Sequence, residues 1–548
     1  MMTWRGYVLL ALCALVILLP GITAIPPIDR DEPRYAQAAR QMIESGDYLN
    51  IHFQQEPRYK KPIGIYWLQS AAARLFSTPP YDDIAPYRLP SLLGAVLAIL
   101  ATAWGVSRID GGRAGLLAGA ILLCSGLINF EARIAKTDAV LLAAVCLTQF
   151  ILARAYLRPE RLPAWLALSF WLCLAAGILV KGPVLPLING GTIMALWLAD
   201  RRVGWIRQLR PLPGALLCLA LTLPWLLWIG LISRGQFYGE SVAHDFLGKI
   251  LTGQDRGFLP PGYHLALLPV CFGAFAWLAL RGVAETWRAR PVPVHRFILA
   301  WIVPVWIIGE LIFTKLPHYV LPCYPALAWA AARFALQDWP PLPERQRKFW
   351  QILNILCGGV MLGVTGATML ALPLLGQSAG WALPILCGIA AALIILQMRW
   401  QWRRRPRALL CGIGGAAALM LAGFGFLLPG LAPLMIAPQA AAWYRALRPC
   451  AFSRLVTSGV SEPSLVFAAG TDTIFANGAA YAATLSAHDR CAVAMIAAEQ
   501  EQTFRIGLAI EGVQPVKLGA MRGYNYNGGG WQDFFFYRST REPLHELP

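Results

Sequence analysis

Asp29-Arg30-Asp31-Glu32-Pro33-Arg34-Tyr35 packs both signs of charge into one short stretch of a 548-residue chain that is only 14% charged. Soluble domains carry about a quarter charged residues. Here 57% of residues are apolar and 21 are tryptophan. The charged stretch follows one apolar segment and precedes many more. Apolar runs of about 17–25 residues, enough to cross a hydrocarbon core, recur as far as Leu428. The fold class this dictates is an α-helical polytopic membrane protein.

Spans are expected near 7–25, 87–107, 113–129, 138–157, 164–180, 183–199, 212–233, 262–281, 297–314, 318–336, 351–375, 381–398 and 408–428, about thirteen in all. When the gaps between them are numbered in order, the even ones hold arginine clusters such as Arg108 and Arg113, Arg154, Arg158 and Arg161, or Arg201, Arg202, Arg207 and Arg210. Short loops with this bias stay in the cytoplasm, so the odd gaps and the C-terminal tail face outward. The net charge of +18 would also suit nucleic acid. Its distribution in short clusters between apolar runs instead follows the positive-inside rule. The first segment has the outline of a signal peptide, with Gly21-Ile22-Thr23-Ala24 as a cleavage site, and is expected to remain as a first helix.

In the first outer gap Pro33 suits the opening turn of a helix capped by Asp31 or Glu32, with Tyr35, Ala38, Ala39, Met42 and Ile43 on one face and Gly46 at its end. A second helix is expected after Tyr59-Lys60-Lys61, beginning at Pro62 and carrying Ile63, Tyr66, Trp67, Ser70 and Ala71 on one side. Such stripes with Tyr and Trp suit helices lying in the membrane interface. Taken alone, Asp31 or Glu32 is a helix cap and Lys60-Lys61 an interfacial snorkel.

Elsewhere on the outer side Asp138 stands where an apolar span begins. There it either complements a helix N-terminus or projects into a cavity. Lys181-Gly182-Pro183 reads as a helix C-terminal turn, while Lys315, His318 and Tyr319 in Lys-Leu-Pro-His-Tyr are a set able to hold a phosphate. The long seventh gap, with His244 and Arg256, is either a substrate lid or a solvated loop. The compact motifs that mix charge with Gly, Pro, His or Tyr all fall in odd gaps, so Asp31, Lys61, Asp138, Lys181 and Lys315 are expected to surround one outward-facing cavity.

Residues 436–548 form a separate outward-facing soluble domain after the membrane domain of 1–435. Val456, Leu465-Val466-Phe467, Ile474-Phe475 and Cys491 to Ile496 are strand candidates, and Gly478 to Ser486 a helix candidate, which together suggest a small α/β domain. The Gly-rich aromatic stretch Tyr524 to Trp531 reads as a turn before a closing strand. Ten of the 12 cysteines lie in or beside apolar spans, and the remaining two, Cys450 and Cys491, are candidates for a disulfide.

In order, Asp31-Glu32-Pro33-Arg34-Tyr35-Ala36, Tyr59-Lys60-Lys61-Pro62 leading to Tyr66-Trp67, Thr137-Asp138, Lys181-Gly182 and Lys315-Leu316-Pro317-His318-Tyr319 resemble the motifs of bacterial GT-C membrane glycosyltransferases. The family is that of the lipid A aminoarabinose transferase, related to the protein O-mannosyltransferases. The resemblance implies transfer of a sugar, aminoarabinose or galacturonic acid, from a polyprenyl-phosphate donor to lipid A or lipopolysaccharide on the periplasmic face of the bacterial inner membrane. It assigns Asp31, Glu32 and Asp138 to catalysis. Arg34, Lys60, Lys61, Lys181, Arg256, Lys315, His318 and Tyr319 are assigned to the donor phosphate, and Tyr35, Tyr59 and His244 to the acceptor or a lid. No divalent metal or other cofactor is expected to be required. The leaving group is a lipid phosphate, so direct displacement with inversion is expected. A protein O-glycosyltransferase of the same fold and a lipid-linked sugar transporter are the alternatives; the latter would need inverted repeats and broken helices near the midplane.

Overall fold

The structure is a computed structural model that describes residues 2–28, 30–158, 161–248, 259–337, 342–401, 405–526 and 528–540. Among the described residues nine helices are long and apolar enough to cross a membrane: Ala85–Asp110, Asp138–Leu157, Ala164–Lys181, Pro211–Ile232, Tyr263–Arg288, Pro293–Leu311, Glu344–Leu374, Ala382–Trp400 and Arg405–Leu434. In the first two, 72% of the apolar window is buried, against 22% for Pro211–Ile232. Those two helices therefore form the centre of the bundle, and Pro211–Ile232 turns most of its surface to lipid.

These nine correspond to nine of the thirteen expected spans. The other four expected spans fall on the shorter helices Trp4–Leu18, Gly112–Leu123, Val184–Asp200 and Tyr324–Leu336. An apolar run does not reveal where its helix stops. The run over 113–129 breaks at Ser125, whose side chain accepts from the Ile128 amide and opens a separate short helix, Gly126–Glu131. The run from 318 begins as a tight turn, Pro317–Cys323, before Tyr324 starts a regular helix.

Two outer helices occupy the first gap, Asp31–Ser45 and Gly64–Phe76, with a minimal hairpin of β1 (His52–Phe53) and β2 (Glu56–Pro57) between them. Tyr35, Ala38, Ala39 and Met42 are buried as the stripe requires, and Gly46 ends the first helix at φ 74°. No side chain caps that helix. Instead Glu32 turns inward. One oxygen accepts from Arg88 Nε at 2.7 Å and from the Ala135 amide at 3.0 Å; the other accepts from Arg88 at 3.0 Å and from the Ile28 amide at 2.8 Å. Arg88 also donates to the carbonyls of Ile22, Ile25 and Pro26. Both side chains are fully buried. Arg133 makes a second tie, donating to the carbonyls of Ile17, Pro20 and Asn129 and so closing the end of the first helix.

Two glycines permit the close approaches that set the outer ends of the bundle. A Cβ on Gly94 would lie 2.7 Å from the Ala139 carbonyl, so only glycine lets Ala85–Asp110 meet the start of Asp138–Leu157. A Cβ on Gly64 would lie 2.8 Å from the Leu179 carbonyl, beside the end of Ala164–Lys181.

The C-terminal domain opens with helix Ile436–Leu447 and contains a five-stranded sheet in the order β4-β3-β5-β7-β6: β3 Arg454–Ser458, β4 Ile474–Phe475, β5 Ala492–Ala497, β6 Gln514–Asn525 and β7 Gly530–Thr540. β3 runs parallel to β4 and β5, whereas β7 is antiparallel to both β5 and β6. The Gly-rich stretch is the turn between β6 and β7, with Tyr524 paired opposite Trp531. Leu465-Val466-Phe467 is not a strand; it lies in helix Pro463–Ala469, because Pro463 starts a helical turn and a short buried apolar run carries no period of its own. Cys450 and Cys491 are joined as a disulfide, their Cα atoms 5.6 Å apart. The domain rests on the helix Asp31–Ser45 and the hairpin after it: Gln37 donates to Thr471 at 2.8 Å, Arg40 to the Phe467 carbonyl at 3.2 Å, and Gln54, in the hairpin turn, to the Thr471 carbonyl at 2.9 Å.

Arg88→Met strands the Glu32 carboxylate without its charge partner and is expected to cost about 3–5 kcal/mol. The loss reads as a lower midpoint of thermal unfolding in detergent, and Glu32→Leu in the same chain should recover much of it. An unchanged midpoint in the single variant would show that the pair holds nothing together.

Candidate active site

Asp138 begins its helix, is buried, and takes Lys181 Nζ at 2.5 Å on Oδ1. Lys181 comes from the last turn of Ala164–Lys181, where Gly182 at φ 63° lets the chain reverse into the next helix. The tight turn Pro317–Cys323 presents His318, whose Nε2 is 4.0 Å from the same Asp138 oxygen and whose Nδ1 is 3.7 Å from Glu131. Lys136, buried in the loop that leads to Asp138, adds another positive charge close to both Asp138 and His318. Three outer loops far apart in sequence thus converge on one buried constellation.

Asp31 stands beside it. Its carboxylate is half exposed, lies 3.9 Å from the buried Arg58 guanidinium, and is within electrostatic reach of His318. Arg58 packs 5.3 Å over the Tyr35 ring, which in turn lies 5.4 Å from the Tyr66 ring. Burial and the neighbouring Arg58 lower the pKa of Arg34, a crowding of positive charge that an incoming phosphate would relieve. Asp31 and Asp138 are therefore acids in different settings, one open to a substrate and one neutralised within the protein.

The remaining expected residues stand in varied settings. Glu32 is wholly taken up by Arg88 and two backbone amides, which gives it a structural place. Lys315 is buried, with Nζ donating to the carbonyls of Leu259 at 2.8 Å and Ile312 at 3.1 Å, and so ties two loops. Tyr319 is half-buried, edge-on to His318 at 5.0 Å. Lys61 is half-buried, whereas Lys60 and His244 are exposed. Tyr59 packs edge-on to Phe237 at 6.3 Å. Arg256 lies outside the described residues. Glu310 braces a loop, with Oε2 accepting from the Gly262 amide at 2.9 Å and Oε1 3.3 Å from His264 Nδ1.

Sequence reasoning passed over Arg58, Glu131 and Lys136. Arg58 directly precedes the Tyr-Lys-Lys stretch, and Glu131 and Lys136 flank the path to Asp138, so polarity inside otherwise apolar outer loops was the available signal. Glu131, Asp138 and His318 each offer one ligand atom, all within 4.8 Å of one another, a nitrogen–oxygen set that suits a divalent cation. The Lys181 ammonium already sits on an Asp138 oxygen and would compete with that cation for the same charge.

Residues 60–228 match a family model described as dolichyl-phosphate-mannose-protein mannosyltransferase. The undecaprenyl phosphate-alpha-4-amino-4-deoxy-L-arabinose arabinosyl transferase of Pectobacterium atrosepticum is 27% identical over 373 residues, which cover 66% of this chain and 64% of that one. Its counterpart in Yersinia enterocolitica is 26% identical over 363 residues, covering 64% and 63%. The match therefore spans less than two thirds of these relatives. The crystal structure of ArnT from Cupriavidus metallidurans bound to undecaprenyl phosphate superposes with a TM-score of 0.73 at 17% identity, covering 100% of both chains. An oligosaccharyltransferase from Archaeoglobus fulgidus in the apo form gives 0.52 at 13% identity, over 94% of this chain and 69% of that one. This chain has the GT-C fold of the membrane glycosyltransferases and resembles the aminoarabinose transferases in sequence.

Proposed function

We propose that the protein transfers a sugar, aminoarabinose or a related sugar such as galacturonic acid, from a polyprenyl-phosphate donor to lipid A or lipopolysaccharide. The reaction takes place on the periplasmic face of the bacterial inner membrane, where the 436–548 domain also stands. One observation carries this reading: Asp138, Lys181, His318 and the half-exposed Asp31 meet at one end of the bundle, in a fold shared with a protein whose structure holds undecaprenyl phosphate. Sequence similarity to the aminoarabinosyl transferases supports the choice of substrates.

An oxygen of the acceptor attacks the anomeric carbon as the bond from that carbon to the donor phosphate oxygen breaks. Negative charge grows on the leaving oxygen, and fixed positive groups in a dry site stabilise it strongly. Lys181, Arg34 and Arg58, with His318 as a hydrogen-bond donor, are the groups positioned for this role. Asp138 orients Lys181 and His318 through its shared oxygen. Asp31 accepts the proton of an attacking hydroxyl or steadies the oxocarbenium-like carbon. An acceptor phosphate is already anionic and leaves Asp31 only the second task. A single displacement inverts the anomeric centre. The lysine and arginines supply the positive charge, so the chemistry requires no metal.

The direct test compares outer-membrane lipid and glycoprotein by mass spectrometry from cells with and without the gene. A mass increment of one sugar on lipid A or core is expected to vanish with the gene, and NMR of the product should give the anomeric configuration opposite to that of the donor. An increment on protein alone would support the alternative that the mannosyltransferase family match favours. Retained configuration would reject single displacement.

Asp31→Asn is expected to abolish transfer while polyprenyl phosphate still binds; wild-type turnover would remove Asp31 from the chemistry. Lys181→Met should lower kcat by about two to three orders of magnitude, the usual effect of losing one preorganised electrostatic group. If only KM changed, Lys181 would serve binding alone.

A further inference from the structure

Helix Asp138–Leu157 carries the candidate active site at its first residue and Arg154 in its last turn. The sixteen residue steps from one to the other span about 24 Å at 1.5 Å per residue, so Arg154 belongs to the opposite leaflet. At that end lies a cavity of about 350 Å³. Arg108, Arg154, Arg158 and Arg333 line it, together with Trp104 and Phe150. The arginines come from the ends of three different helices and the loop after one of them, yet they converge on one space.

Its charge is one-sided. Asp110 is the only acid among the described lining residues. Both of its oxygens are engaged, one by Arg333 and the other by Trp329 Nε1 at 2.6 Å. Arg333 is thereby neutralised, and Arg154 and Arg158 give the cavity its positive character. Loop arginines commonly do no more than mark the cytoplasmic side. Here they border a built space with an apolar wall. Gly105 makes that wall possible, since a Cβ there would lie 2.0 Å from the Phe150 ring. Phe150 is fixed in turn between Trp301 at 5.3 Å and Trp329 at 5.6 Å. Guanidinium groups bind phosphate in a bidentate manner, and basic pockets between membrane helices on the cytoplasmic side suit lipid headgroups.

We propose that this cavity binds the phosphate headgroup of an anionic phospholipid from the cytoplasmic leaflet, with the start of an acyl chain against Trp104. This site is separate from the candidate active site and does not depend on the reaction proposed for it.

The full chain, purified in detergent, is to be titrated with phosphatidylglycerol, phosphatidylcholine or inorganic phosphate, with binding followed by native mass spectrometry and thermal unfolding. Phosphatidylglycerol is expected to bind and to raise the unfolding midpoint, whereas phosphatidylcholine should do neither. Arg154→Gln with Arg158→Gln should weaken phosphatidylglycerol binding about tenfold or more. The equal charge removal Arg113→Gln with Arg161→Gln, outside the lining, should leave it unchanged. Four results would overturn the proposal: equal effects of the two lipids, equal loss in both double variants, unweakened binding in the first, or inorganic phosphate at equal concentration reproducing the lipid's shift. The last would assign the cavity to a soluble phosphate. Elution of each variant as wild type in size-exclusion chromatography, and retention of its unfolding midpoint without lipid, separate lost binding from misfolding.

Discussion

The buried pair of Glu32 and Arg88 fixes everything at the outer mouth. Ion pairs in such surroundings bring little net stability, because desolvation offsets their attraction. This pair does something else. Through five carbonyl and amide partners besides one another, it binds the segment after the first helix, the helix Asp31–Ser45, the helix Ala85–Asp110 and the loop before Asp138 into one unit. The acid next to Glu32 and the loop that carries Lys136 and Asp138 are therefore held to a common frame. Arg133 repeats the device from the third outer loop.

Within that frame the two acids of the site differ in kind. Asp138 is enclosed, with Lys181 upon it and His318 nearby, so it behaves as part of the scaffold that aims positive charge. Asp31 keeps a half-exposed carboxylate beside Arg58, so it can still meet a substrate. Separation of one enclosed and one open carboxylate is the familiar way a protein assigns two roles to the same chemical group.

The membrane character and the meeting of Asp138, Lys181 and His318 were legible in the sequence because each rests on a local signal: an apolar run, or polarity in an apolar context. Long-range partners were not legible. Nothing near Glu32 announces Arg88, and nothing near Lys315 announces the Leu259 carbonyl to which it donates. Helix ends were also obscure, since Ser125 ends one helix inside an apolar run and the turn Pro317–Cys323 takes up the start of another. In the tail, three buried apolar residues at 465–467 carried no period, and Pro463 decided the matter in favour of a helix.

The helix Asp31–Ser45 begins at the open carboxylate, and along its length Gln37 and Arg40 receive the C-terminal domain. At 15 residues it is a stiff rod of about 22 Å. The helix that starts at Asp31 is thus fastened to the C-terminal domain along its middle, so the position of the acid and the seating of that domain are set by the same few bonds.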